Sequence, residues 1–235
     1  MRHARLELWS RGTSFAHRRH PAAKILVTLV FLIAISSLHP SQARAAIFYF
    51  VVLTALASAA KLPVPRVLLA AAVVLPFACV FALMSFFAGA PEKGIAIMVR
   101  SWLSALTTVL LMATTAQPDL LAGLEALRVP RFLVQVMQFL YRYLLVLIEE
   151  AGAMRAAAAS RAGKASTLEF RRASAAAGVL FARSWGRANA IHQAMTARGF
   201  TGHIPRFRVL RITAADVWFV FGLVGPVLAV RLVLP

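Results

Sequence analysis

The segment Val67–Ala88, VLLAAAVVLPFACVFALMSFFA, decides the fold class of this chain. It carries no charged side chain, and it exceeds the roughly 20 residues that an α-helix needs to cross the hydrocarbon core of a bilayer. Pro76, near its middle, lacks a backbone N–H donor and favours a kink there. The segment therefore predicts a kinked membrane-spanning helix.

The composition of the whole chain agrees with that prediction. Of its 235 residues, 60% are hydrophobic and 14% are charged, and a soluble domain of this size would need more charge on its surface. The predicted fold class is all-α, a polytopic membrane protein with about five transmembrane helices. The further apolar runs that predict spans are Ala22–Leu38, Ala45–Ala60, Ile95–Ala116 and Val217–Leu234.

The net charge of +18 is not distributed as in a nucleic-acid-binding protein. The basic residues flank the apolar runs, which is the pattern that places cytoplasmic loops of membrane proteins. Between Ala153 and Arg211 the chain has 11 lysines and arginines and a single acid, Glu169. We therefore expect this stretch to be cytoplasmic, facing anionic lipid or an acidic partner, and we expect no nucleic acid.

The run Phe132–Ile148 is apolar but interrupted by Gln135, Gln138 and Arg142. Four spans from a cytoplasmic N-terminus return the chain to the cytoplasm, so a further crossing here would place the basic stretch outside. We therefore expect a partly embedded helix that does not cross. The alternative is a sixth crossing, if one of the two short early runs fails to span.

Cys79 and Arg100 are two residues inside apolar runs whose side chains could carry chemistry. Cys79 is the one cysteine of the chain, and we expect it to pack as a small core residue. Arg100 lies near the outer end of its run, where we expect it to extend to the interface. A polar contact within the protein is the alternative for Arg100.

The sequence offers little catalytic chemistry. Glu149 and Glu150 are adjacent and would point about 100° apart on a helix, so we expect them to form a solvated flank. His17 and His20 have no third metal ligand nearby, and we expect them to flank the first span on the cytoplasmic side. Gly163–Lys164 lacks the first glycine and the following Ser or Thr of a phosphate-binding loop. We predict no catalytic residue, metal site or bound cofactor in this chain.

A second helix is predicted over Thr167–Arg198, with Gly199 as a left-handed C-terminal cap. Two neighbouring stripes, each about 80° wide, run along this helix. The arginine stripe consists of Arg172, Arg183, Arg187 and Arg198, and the apolar stripe of Phe170, Ala177, Phe181, Ala188, Ile191 and Met195. Such a helix can pack one face and offer arginines to a partner; an ordinary basic helix at the membrane surface is the alternative.

The segment Ala194–Phe200, AMTARGF, resembles the second Ala-Arg-Gly motif of the transmembrane T component of energy-coupling factor transporters, the CbiQ/BioN/EcfT family. The run Tyr141–Arg155 is similar to the sequence that leads to the first motif of that family, and the entry His20–Lys24 to the first span also fits. At the first motif, Ser160-Arg161-Ala162 keeps the arginine and replaces both neighbours by other small residues. The resemblance covers essentially the whole chain.

The resemblance implies a non-catalytic coupling subunit of an ATP-driven importer. In that family two cytoplasmic coupling helices dock on a pair of ABC ATPase subunits, which bind ATP and Mg²⁺, and the membrane part holds a substrate-binding S component. The S component selects a vitamin or a transition-metal ion. By this likeness Arg161 and Arg198 would contact the two ATPases, and the ATPase-coupling positions would be Ser160, Arg161, Ala162, Ala197, Arg198 and Gly199.

These inferences predict four segments in a bacterial inner (plasma) membrane. Residues 1–21 form a cytoplasmic N-terminal segment, 22–116 a four-helix transmembrane part, 117–214 an amphipathic and cytoplasmic coupling-helix region, and 215–235 a C-terminal transmembrane helix. An independent channel or secondary carrier is the alternative function, and it would show polar or broken helices at mid-membrane. A membrane-bound enzyme is the least favoured, because the sequence shows no convergent acid, base or metal set.

Overall fold

A computed structural model describes residues 14, 15, 17, 19–161, 169–202 and 213–233. Over these ranges the chain forms helices and no strand, which confirms the all-α prediction. The helices are α1 (Pro21–Ser36), α2 (Ala43–Ala59), α3 (Val64–Ala71), α4 (Leu75–Phe87), α5 (Pro91–Thr114), α6 (Gln117–Ala126), α7 (Arg131–Arg161), α8 (Glu169–Ala197) and α9 (Ala214–Val233).

By length and composition, three helical stretches among the described residues can each cross a bilayer. They are Val64–Phe87, Pro91–Thr114 and Arg131–Ser160, and shorter apolar helices occupy Pro21–Ser36, Ala43–Ala59 and Ala214–Val230. This arrangement confirms a polytopic membrane protein. Because Arg131–Ser160 is also long enough to cross, the count of five spans stays a prediction.

The chain divides into two compact units, residues 1–129 with 210–235 and residues 130–209. In the first unit, helices α1, α2, α5 and α9 enclose an apolar core. Phe31 of α1 and Tyr49 of α2 meet edge to face at 6.2 Å between ring centroids, and both are almost fully buried. Aromatic pairs in this arrangement add to the energy of burial, so they fix the α1–α2 hairpin.

The segment that decides the fold class is broken near the expected place. A 3₁₀ turn at Ala72–Val74 separates α3 from α4, and Pro76 lies in the first turn of α4. Proline is tolerated there because the first N–H groups of a helix have no partner within it. The prediction that Cys79 packs as a small core residue is wrong, since its side chain is exposed. An apolar run in a membrane protein has a lipid-facing side, which the sequence does not identify.

Helix α6 lies against the beginning of α1, and Gly123 is the point of closest approach. A Cβ atom built on Gly123 would lie 3.0 Å from the backbone nitrogen of Ala22 and 2.9 Å from Cδ1 of Ile25. Leu120 and Leu121 are buried beside it, whereas Leu127 is 40% exposed. Helix α6, the first helix of the predicted amphipathic region 117–214, therefore turns one side onto the bundle.

We expect Gly123→Ala to lower the free energy of unfolding, because the new methyl group meets backbone that cannot move aside cheaply. The matched control is Gly178→Ala in α8, where a Cβ meets nothing within 4 Å. There the change to a better helix former should stabilise by about 1 kcal/mol. Thermal unfolding in detergent checks the opposite signs, and equal shifts for both variants would contradict the close contact.

The beginnings of α1 and α9 and the end of α5 meet in a set of buried and partly buried polar contacts that we call the helix junction. It consists of His20, Lys24, Thr114, Thr213 and Asp216. The Lys24 ammonium donates to the carbonyls of Thr114 at 2.8 Å and His17 at 3.2 Å. A lysine at the inner end of a membrane span ordinarily extends to the interface; Lys24 is instead buried and caps the free carbonyl end of α5.

Asp216 completes the helix junction by serving two helix beginnings at once. Its Oδ2 accepts hydrogen bonds from the backbone nitrogen of Thr213 at 2.9 Å and from the Thr213 hydroxyl at 2.6 Å. Its Oδ1 accepts one from the backbone nitrogen of His20 at 3.0 Å. His20 in turn caps α1, with Nδ1 accepting from the Ala22 nitrogen at 3.2 Å. These contacts satisfy N–H groups that both helices would otherwise leave unpaired.

Candidate coupling site

The second unit, residues 130–209, contains the two long helices that carry the predicted motifs. Glu150 in the second half of α7 pairs with Arg183 and Arg187 near the middle of α8. Phe139, near the beginning of α7, lines one cavity with Met195 at the end of α8. Later residues of α7 thus meet earlier residues of α8, so the two helices run antiparallel.

Glu150 holds the two helices together. Its Oε1 accepts from Arg183 at 3.2 Å and its Oε2 from Arg187 at 3.1 Å, so each carboxylate oxygen has its own guanidinium. The expectation of a solvated flank is therefore wrong for Glu150, whose side chain is 17% exposed. Part of the predicted arginine stripe is used inside the chain and is not offered to a partner.

We expect Glu150→Gln to lower the free energy of unfolding by about 1 kcal/mol, since partly exposed ion pairs contribute at that level. The matched control is Glu149→Gln at the adjacent, exposed acid, which should change the free energy of unfolding by about 0.5 kcal/mol at most. The difference should shrink in high salt because screening weakens exposed charge pairs. Thermal unfolding in detergent at two NaCl concentrations measures it, and identical stabilities for the two variants would contradict the cross-link.

Between α7 and α8 lies a cavity of about 340 Å³. The rings of Phe139 and Tyr143 stack along its α7 side at 6.2 Å between centroids. From the predicted apolar stripe, Ala188, Ile191 and Met195 line its α8 side. Phe181 departs from that stripe: it is 68% exposed and stacks on Trp185. The Phe170 side chain lies outside the described part of the structure.

The second motif, Ala197-Arg198-Gly199, ends α8. Gly199 has a φ of +77°, the left-handed conformation expected of a C-terminal cap. The Phe200 nitrogen donates to the Met195 carbonyl and the Gly199 nitrogen to the Thr196 carbonyl, both at 3.0 Å. This turn leaves Arg198 exposed, and no side chain among the described residues forms an ion pair with it. Arg198 is therefore available to a partner.

The first motif, Ser160-Arg161-Ala162, stands at the end of α7. Ser160 is exposed and its hydroxyl donates to the Ala157 carbonyl at 2.9 Å. Arg161 is the last residue of α7, and its side chain and the whole of Ala162 lie outside the described residues. Each motif arginine thus follows or ends a long helix, at the carbonyl end of that helix.

The antiparallel pairing keeps the two motifs apart. Phe200, just after the second motif, lines the cavity together with Phe139. Helix α7 rises about 33 Å between Phe139 and Arg161, at about 1.5 Å per residue. The two motifs therefore lie at opposite ends of one helix pair and do not form one combined site.

The described residues show no metal-binding arrangement, since no three of their His, Cys, Asp and Glu side chains group together. Sequence reasoning missed the roles of Glu150, Arg183 and Arg187 as a cross-link. The available signal was two adjacent acids beside a strongly basic region. Such acids are expected to pair with arginines once the two helices pack together.

Comparisons with known proteins agree with this architecture. The family model described as CbiQ, cobalt transport protein, matches residues 12–208, which include both motifs. The chain is 33% identical over 135 residues to the cobalt transport protein CbiQ of Rhodobacter capsulatus, covering 57% of this chain and 54% of that protein. It is 30% identical over 121 residues to the uncharacterized protein MJ1089 of Methanocaldococcus jannaschii, covering 51% and 45%. The chain spans about half the length of the curated relatives it matches.

Proposed function

The chain belongs to the CbiQ family of cobalt transport proteins and is a membrane transport component, and from this premise we propose that it is the transmembrane coupling subunit of an energy-coupling factor importer. In this proposal it carries no catalytic site and transmits the motion of two ABC ATPase subunits to a substrate-binding S component. ATP and Mg²⁺ bind to the ATPases. The helix pair α7–α8 faces the cytoplasm of a bacterial inner membrane.

The observation that carries the proposal is the presentation of the motifs. Two long antiparallel helices each place an arginine at their carbonyl end, about 33 Å apart along the pair. Small neighbours, Ser160 and Ala197, leave room for close approach to each arginine. Arginine suits such a contact because its planar fork binds a carboxylate or the carbonyls of a helix end through two hydrogen bonds.

The cross-link at Glu150 supports a mechanical role for the helix pair. Arg183 and Arg187 link α8 to Glu150 of α7 near the middle of both helices. A displacement of one helix is therefore transmitted to the other. In the proposed cycle, closure of the ATPases on ATP moves the two motif ends, and the S component reorients and releases its substrate inside. Cobalt ion is the first substrate to test because of the description of the family.

Purification of the chain from its native membranes tests the partners. We expect subunit identification by mass spectrometry to find two ABC ATPase subunits and an S component retained with it. A matched purification of the Glu149→Gln variant, which leaves both motifs intact, should retain the same subunits. Recovery of the native chain free of any ATPase, under conditions that preserve known membrane complexes, would count against the proposal.

A further inference from the structure

A cavity of about 310 Å³ lies where the turn between α1 and α2 meets the middle of α5. Its walls are largely apolar, with Ala46 and Phe50 of α2 facing Val99 of α5. The ring of Phe50 stacks on Trp102 at 5.4 Å between centroids. Arg100 is the residue of this lining with a permanent charge, so the cavity combines an apolar body with a single fixed cation.

The charge of Arg100 is only partly satisfied by the protein. Its Nη2 donates to the carbonyl of Leu38, which lies in the turn just after α1. Across the described ranges its Nε is buried without a partner, and no carboxylate pairs with the guanidinium. A guanidinium has five N–H donors, and a partly buried cation without a counter-charge in an apolar setting is costly. The site therefore calls for an anion.

Two contacts fix the level of this cavity along the bundle. The bond from Lys24 to the Thr114 carbonyl joins α1 to the end of α5, and the bond from Arg100 to Leu38 joins them again further out. The rise of α5 between Arg100 and Thr114 is about 21 Å, at about 1.5 Å per residue. With Thr114 taken as the inner edge, Arg100 lies below the outer edge of a hydrocarbon core about 30 Å thick.

Helix α5 continues beyond this level, whereas the α1–α2 hairpin does not. Helices α1 and α2 have 16 and 17 residues, fewer than the roughly 20 that span the core. Helix α5 extends about 13 Å further out, from Arg100 to Pro91. A bilayer beside a short hairpin thins locally, which brings phosphate groups down to the end of the hairpin. With the N-terminus inside, this is the outer leaflet.

We propose that this cavity binds one outer-leaflet phospholipid, with its phosphate on Arg100 and an acyl chain along Phe50 and Val99. The cation supplies the phosphate contact, and the apolar walls supply the chain contact. The lining also holds His39, Gln42 and Trp102, whose Nε1 is buried without a partner among the described residues. The remaining walls are apolar, which suits an acyl chain and adds nothing to the binding of a free anion. Bound lipid would hold the outer end of the α1–α2 hairpin against α5.

The test uses the full chain, stripped of lipid in detergent and examined by native mass spectrometry with added lipid. Phosphatidylethanolamine and phosphatidylglycerol supply the phosphate, diacylglycerol has the same chains without it, and inorganic phosphate is the free anion. We expect one tightly held copy of either phospholipid and at least tenfold weaker retention of diacylglycerol. Equal retention of diacylglycerol, or displacement of the lipid by millimolar inorganic phosphate, would overturn the proposal.

Two variants localise the binding. Arg100→Gln should weaken phospholipid retention at least tenfold, whereas Arg44→Gln, at an exposed arginine near the start of α2, should leave it unchanged. Ala46→Trp fills the cavity without removing the Arg100–Leu38 bond, and it decides the matter if Arg100→Gln does not fold. Retention equal to that of the native chain in folded Arg100→Gln or in Ala46→Trp would refute the site.

Discussion

Replacing Arg161 and Arg198 together by alanine is expected to abolish ATP-dependent uptake while the chain stays folded and inserted. Arg198 is exposed beyond the last residue of α8, so its truncation removes no internal contact of the described residues. In the proposed complex each arginine binds a partner through a charged, two-pronged contact. Loss of such a contact costs about 2–5 kcal/mol of binding, so loss of both should reduce uptake by at least several hundredfold.

The control for this prediction removes the same charge elsewhere on the helix pair. Arg155 of α7 and Arg171 of α8 are exposed and lie outside the motifs. The variant Arg155→Ala with Arg171→Ala should keep most of the uptake activity. Arg198→Lys should give an intermediate loss, because lysine keeps the charge but not the planar fork. Unchanged uptake in the motif variant, or an equal loss in the control, would refute specific docking by these arginines.

Replacing Asp216 by alanine is expected to lower the free energy of unfolding by about 3 kcal/mol. The carboxylate accepts three hydrogen bonds, two of them from backbone nitrogens of Thr213 and His20. Asp216 is 4% exposed, so water does not readily replace it. The His20 nitrogen is the buried donor of the three, and a buried donor left without an acceptor costs about 1–3 kcal/mol. Loss of the cap at Thr213, which is exposed, adds about 1 kcal/mol. The beginnings of α1 and α9 should loosen together.

Thermal unfolding in detergent, with the folded yield from membranes, measures this effect. Glu92→Ala is the matched control, since Glu92 is an exposed acid in the first turn of α5 and its loss should cost about 0.5 kcal/mol. Asp216→Asn keeps an oxygen acceptor and should lie between the two. If Asp216→Ala were as stable as Glu92→Ala, the helix junction would not carry the stability assigned to it.

The sequence predicted what depends on local chemistry. An uncharged run such as Val67–Ala88 is stable only against lipid or inside a protein core, so the sequence predicts its place in a membrane. Pro76 marked the break, because proline acts on its own backbone. Gly199 marked the end of α8 for the same reason, since glycine accepts a positive φ at little cost.

The sequence did not predict what depends on which elements meet. Lys24 lies near a helix end, where extension to the interface and capping of another helix give the same local pattern. In the structure Lys24 caps α5, because the carbonyl end of α5 lies beside the Lys24 ammonium. Glu150 is a cross-link because α7 packs against α8. Cys79 is exposed because it lies on the side of α4 that faces away from the bundle. These outcomes follow from tertiary contacts that no single helix contains.

Uptake by reconstituted vesicles is the measurement that tests the coupling role most directly. Vesicles would hold the chain alone, the chain with the S component, or the chain with the S component and both ATPases, each with and without ATP inside a regenerating system. We expect uptake of the substrate, with cobalt ion tested first, when all components and ATP are present, and none when any one is missing. Uptake by the chain alone would rule out the coupling role and would identify an independent channel or carrier.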